Sequence, residues 1–271
     1  MTFAKQISLG VKAHFKAIEL LLSKGFIKYM IFPLLLNVLI FWLGINQIAD
    51  LAAQARQSFS DWIMLNDANF WGAEYLKDAL SGVITVIIYV LFFAGFVYLG
   101  AYIVIILLSP LFSVISQKTE KVLTGQSLDY PFEPARFFKD ILRGAGIALR
   151  NLLLEAIIMF AVFVTGLIFP PLSWLTVIFM FLVSAYFYGF SYMDYSNERY
   201  RRSIKESITF MRAHKWLAVI NGTLFAIVLL IPYIGVALSA FAAVVSVIAG
   251  TVSMVEINKT ENPEKNKYLT S

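Results

Sequence analysis

Four stretches of the chain contain no charged residue: 29–49, 79–117, 156–193 and 216–255, with lengths of 21, 39, 38 and 40 residues. About 20 apolar residues in a helix, at roughly 1.5 Å rise each, cross the ~30 Å hydrocarbon core of a bilayer. The four runs hold 138 of the 271 residues, so half the chain is suited to hydrocarbon. With 59% apolar and 14% charged residues, too few polar side chains remain to cover a water-soluble domain. The expected fold is an all-α integral membrane protein, a single membrane domain over residues 1–271.

Little in the sequence suggests chemistry. There is no cysteine, and His14 and His214 are the only histidines, too few to build a metal site between them. No phosphate-binding glycine loop, dinucleotide fingerprint or nucleophile elbow occurs. No enzymatic activity, cofactor, metal or nucleic-acid partner is expected.

The N-terminal 25 residues are broken by Lys5, Lys12, Lys16, Glu19 and Lys24, so no cleavable leader is expected. At about 100° per residue, Phe3, Ile7, Val11, Phe15, Ile18, Leu21 and Leu22 share one arc, with Lys5, Lys12, Lys16 and Glu19 opposite. Residues 1–25 therefore read as an interfacial amphipathic helix, or as a helix packed on the protein's own loops. Basic residues set the orientation: 20 of the 22 Lys and Arg lie in 1–28, 118–155, 194–215 and the tail from residue 256. Segment 50–78 holds only Arg56 and Lys77 against Asp50, Asp61, Asp67, Glu74 and Asp78. The basic segments, and with them both termini, are expected in the cytoplasm, with segment 50–78 external. A first span (26–49) crosses outward and a long second one (79–125) returns. Thirty-nine residues exceed the core thickness, so this helix tilts, protrudes or breaks near Ser109-Pro110, ending near Thr124-Gly125.

The two later runs each start and finish beside basic segments, so each must return to its side of entry. Proline interrupts both, at Phe169-Pro170-Pro171-Leu172 and Ile231-Pro232-Tyr233, which predicts helical hairpins over 135–193 and 199–256 with tips at Pro170, Pro171 and Pro232, followed by a polar tail, 257–271. The charge-free arms before the prolines, 156–169 and 216–231, hold 14 and 16 residues, or about 21 to 24 Å. The reading is of hairpins that enter without fully crossing, their tips against protein or a wet cavity; the alternative is two ordinary pairs of spanning helices. No ionisable group lies inside any of the four runs, so a permeation path would carry charge only at its mouths.

Gly25-Phe26-Ile27-Lys28 joins the interfacial helix to the first span. There backbone N–H groups and Lys28 can converge on an oxyanion; a lone lysine at this position also serves as a topology anchor. Arg143 and Arg150 are secondary basic candidates, with lipid-phosphate contact as the competing role. Asn37, inside the first span, reads as an inter-helix hydrogen bonder.

Along nearly the whole chain these features resemble the CysZ sulfate permeases and the wider etoposide-induced-protein family. The likeness runs through Gly25-Phe26-Ile27-Lys28-Tyr29, Phe32-Pro33-Leu34-Leu35-Leu36-Asn37, Ser109-Pro110-Leu111-Phe112, Glu120 to Thr124-Gly125 and Tyr192-Met193-Asp194-Tyr195. It continues through Ile204-Lys205-Glu206, Arg212 with Lys215, and Ile231-Pro232. The resemblance implies two spanning helices plus two inserted hairpins, a homo-oligomer in the lipids of a bacterial inner membrane, and uptake of sulfate or a related oxyanion for cysteine synthesis. Gly25, Phe26 and Lys28 would sit at the anion mouth. Two departures stand out: Ile27 occupies the place of the first arginine of an anion-binding pair, and Ser196 that of a proline. A non-transport protein that shapes membranes or scaffolds partners is the competing functional class.

Overall fold

The computed structural model describes residues 1–23, 25–62, 73–125, 134–231 and 234–261. Nine α-helices account for most of them: α1 (Phe3–Ser23), α2 (Ile31–Trp62), α3 (Ala73–Leu107), α4 (Ser109–Thr124), α5 (Pro134–Ile168), α6 (Ser173–Arg199), α7 (Ile204–Ala213), α8 (Lys215–Leu229) and α9 (Ile234–Glu261). There is no strand among the described residues. Five helical stretches are long and apolar enough to cross a membrane: Ile27–Phe59, Ala79–Leu107, Leu142–Ile168, Pro170–Arg199 and Leu238–Thr260. The chain is a multi-pass helical membrane protein.

The expected break near Ser109-Pro110 is present, since α3 stops at Leu107 and α4 starts at Ser109. Proline is tolerated there because a helix's first turn has no intrahelical use for its N–H. α4 ends as expected at Gly125, whose φ of +71° lets its N–H close on the Lys121 carbonyl at 2.9 Å. Segment 50–78 is largely helical, with α2 running out to Trp62 and α3 starting at Ala73; residues 63–72 lie outside the described residues.

The hairpins differ from expectation in one respect. The stretch of hairpin 1's first arm long and apolar enough to cross a membrane is Leu142–Ile168, 27 residues that include Arg143, Arg150 and Glu155, or about 40 Å. It is not short. The estimate of 14 residues began after Glu155, on the premise that a charge ends the apolar stretch. Glu155 is instead fully buried inside the bundle, where the Tyr102 hydroxyl donates to one carboxylate oxygen and the Ser184 hydroxyl donates to the other at 2.5 Å. The helix turns at Phe169, and a 3₁₀ turn at Pro170–Leu172 leads into α6. In hairpin 2 the first arm, α8, has only 15 residues, about 22 Å, as expected. Its tip residue Pro232 lies outside the described residues.

α9 is the centre of the molecule. Ala242, Ala243, Val244, Val245, Val247, Ile248 and Ala249 are all fully buried, and the helix packs against α1, α2, α4, α6 and α8. Small side chains let so many backbones approach one axis, the usual solution where lipid removes the hydrophobic incentive for helices to associate. Asn37 of α2 donates to the Ser239 hydroxyl of α9 at 2.9 Å, so the expected inter-helix hydrogen bond is present. The two hairpins join where α6 crosses α8. Ala185 and Gly189 on one helix face Ala218 and Gly222 on the other, and a Cβ at Gly222 would fall 1.9 Å from the Ala185 carbonyl oxygen.

α1 is a helix, as expected, and its packing face combines small residues with Gln6, Leu20 and Leu21. Gln6, Gly10, Ala13, Ala17, Leu20 and Leu21 are buried, against α8 and α9. Phe3, Val11, Phe15, Ile18 and Leu22 remain exposed. The Gln6 carboxamide oxygen accepts from the Trp216 and Leu217 amides, each at 3.2 Å. It thereby serves first-turn donors of α8, the Leu217 amide also reaching the His214 carbonyl at 3.0 Å. His14 is held by its own helix, its Nδ1 2.8 Å from the Gly10 carbonyl; burial lowers its pKa below the ordinary 6.5, with the bond to Gly10 opposing.

Candidate anion-binding site

The junction 25–28 folds as a tight turn. Gly25 has φ +68° and open space beside it, a conformation that a side chain would strain. Phe26 is fully buried, and its carbonyl accepts from the Tyr29 amide at 2.9 Å, opening the 3₁₀ turn Ile27–Met30 that continues into α2. Gly25 and Lys28 are exposed. The Lys28 ammonium lies 5.3 Å from the centre of the Tyr29 ring.

A residue that sequence reasoning did not single out joins them. Lys118 of α4 lies 4.5 Å from the centre of the Phe26 ring and 5.1 Å from that of Tyr29. Two ammonium groups thus flank one tyrosine, and neither makes an ion pair with a described residue. The only sequence signal was that Lys118 is the first cation after the second charge-free run. Nothing in the linear chain links it to position 28; the break at Leu108 and the course of α4 do so.

Arg143 and Arg150 are placed differently. Arg143 donates to both carboxylate oxygens of Asp194 at 2.8 and 3.3 Å, to the Ser207 hydroxyl at 2.8 Å and to the Arg202 carbonyl at 3.2 Å. Its charge is neutralised within the fold by a buried bidentate pair. Arg150 donates to Asn151 Oδ1 at 2.9 Å and lies 5.8 Å from the Phe190 ring centre. The structure does not bring either arginine to the 25–28 turn through any of these contacts.

Arg143 belongs to a polar hub at the C-terminal end of α6, where Asp194, Tyr195, Ser196 and Asn197 are buried. Arg199 pairs with Glu120 of α4 at 2.7 Å, and the Tyr200 hydroxyl donates to the same carboxylate at 2.8 Å. Burial, then Glu120, raises the Tyr200 pKa above its ordinary value. Ser116 of α4 and Thr251 of α9 share a hydrogen bond at 2.6 Å. Ser196 stands 3.4 Å from both hydroxyls. A proline here would lack the hydroxyl that joins this cluster.

Together the fold and the turn define a polytopic helical membrane protein with positive charge at the start of its first span that no described carboxylate neutralises. The family model for sulfate transporter CysZ/etoposide-induced protein 2.4 matches residues 13–239, and the chain belongs to that family. It is similar to the sulfate transporter CysZ of Pseudomonas aeruginosa strains LESB58 and PAO1, 26% identical over 227 residues that cover 81% of this chain and 85% of the relative. The sulfate transporter CysZ of Pseudomonas paraeruginosa strain PA7 is 25% identical over the same shares.

Proposed function

We propose that the protein is a passive inner-membrane permease for sulfate or a related oxyanion, supplying cysteine synthesis, with the anion entering at Gly25, Phe26 and Lys28. One observation carries the reading: the lysines around Tyr29 have no carboxylate partner among the described residues, whereas Arg143 and Arg199 are paired within the fold. Uncompensated positive charge favours an anion. The amides of the turn add donors, and the relatives named as sulfate transporters agree. Assembly into a homo-oligomer within lipid is part of the reading, with the exposed Phe160, Phe163 and Leu167 of α5 facing the lipid.

Sulfate flux into proteoliposomes of the purified protein tests it. Each charge crossing the whole field is worth about 2.3 kcal/mol per 100 mV, so a dianion should be slowed by an inside-negative potential and speeded by the reverse. Flux indifferent to potential, or dependent on a proton gradient, would overturn the passive mechanism. No flux from folded protein would favour a scaffold.

A further inference from the structure

We propose that Lys118 is the second cation of the anion site, so that a doubly charged tetrahedral oxyanion is held between α4 and the start of α2. The inference rests on the functional reading above and names a residue and a charge preference that reading lacks.

Three observations lead to it. Both ammonium groups lie within 5.3 Å of the Tyr29 ring centre, so they stand at most about 10.4 Å apart, a range over which like charges still repel at low ionic strength. No described carboxylate neutralises either. Lys118 lays its ammonium over the ring of the fully buried Phe26, a cation–π contact that positions the group but brings no negative charge to neutralise it. A fold that holds two bare cations together in this way is completed by an anion, and one carrying two charges meets both lysines at once. Ile27, half exposed on the same turn, supplies no charge; a cation from a different helix takes over that share. The charge is therefore assembled from positions 28 and 118 rather than from adjacent residues, and bound anion would tie α4 to α2.

The absence of cysteine from the chain permits a test on a single folded protein. Lys118→Cys, purified in detergent, is treated either with an aminoethyl methanethiosulfonate, which restores an ammonium, or with its neutral ethyl counterpart. Sulfate and nitrate affinities are measured by calorimetric titration alongside Lys28→Ala and Lys118→Met. Losing a charge-assisted contact should weaken sulfate by about tenfold or more in Lys118→Met and in the ethyl adduct. The aminoethyl adduct should recover most of the loss. Nitrate, with one charge, should change less than sulfate, and Ile27→Arg added to Lys118→Met should restore sulfate binding. A structural role alone would move both anions equally and would not respond to the charge of the adduct. Sulfate affinity lost in Lys28→Ala but unchanged across all Lys118 variants would overturn the role of Lys118 and leave the site standing. Affinity unchanged in every variant, Lys28→Ala included, would overturn the site itself.

Discussion

The helices α5 and α9, one from each hairpin, carry equally apolar stretches in opposite environments. The most apolar stretches of Leu142–Ile168 and Leu238–Thr260 have mean hydropathies of 2.2 and 2.1, yet the first is 11% buried and the second 89%. What separates them is side-chain size. α9 packs Ala, Val, Gly and Ser around its whole circumference, whereas α5 exposes Leu149, Leu153, Ile157, Phe160, Phe163 and Leu167. In hydrocarbon a large apolar residue gains nothing by turning inward, while a small one lets another helix approach. Hydropathy reports that a segment belongs in the membrane; size reports whether it meets lipid or protein.

The largest effect expected from this contrast is all-or-none. If hairpin 1 has the longer first arm, a cysteine at Phe169 should react with a membrane-impermeant thiol reagent added outside, as should one at Asp61. A cysteine at Leu230, beyond the 15-residue α8, should be protected. Equal labelling at both tips would erase the difference in reach.

Next comes the seam where the hairpins meet. Gly222→Val places carbon where the Ala185 carbonyl already stands, a backbone clash that should exceed the ~1–3 kcal/mol of ordinary overpacking. The folded fraction should fall sharply in size-exclusion chromatography. Gly95→Val, on a surface with nothing within 4 Å of a Cβ, is the matched control. Arg143→Met follows, because it leaves Asp194 buried without its cation, at a cost of about 3–5 kcal/mol, read as a lowered thermal midpoint. Arg143→Met combined with Asp194→Leu should recover part of it.

The smallest effect concerns α1, which covers hairpin 2 and not hairpin 1. Burial depresses the His14 pKa, so the folded state favours the neutral ring. That contribution is present above the ordinary value of 6.5 and is lost as pH falls through the lower folded value. Docking of α1 should loosen on mild acidification, followed by hydrogen exchange of its amides, and His14→Gln should flatten the dependence.

The sequence was most informative wherever a break was needed. Proline and glycine located the ends of α4 and the turn of hairpin 1, because backbone geometry there is dictated by single residues. It was least informative about which face of a helix packs. On α1 the arc of Phe3, Val11, Phe15, Ile18 and Leu22 marks the side that stays exposed, but Gly10, Ala13 and Ala17, which make the contact, give no such signal. Glu155 was read as the border of a run; its apolar flanks, Leu152 to Leu154 and Ala156 to Met159, were the available sign that it is interior. Of the anion site, the turn at 25–28 was legible and Lys118 was not, because their proximity depends on tertiary structure.

The bonds made by Gln6 also bear on the order of biogenesis. Its partners at the end of α7 and the start of α8 lie 207 to 211 residues further along the chain. At about 5–20 residues per second of synthesis, α1 emerges on the order of 10–40 s before the helix it caps. Throughout that interval its Phe, Val and Leu face can rest on the membrane surface, and its Gly and Ala face remains vacant for a partner not yet made. A helix translated well before its partners is thus among the last to dock, and a chain truncated before α8 would leave it stranded on the bilayer.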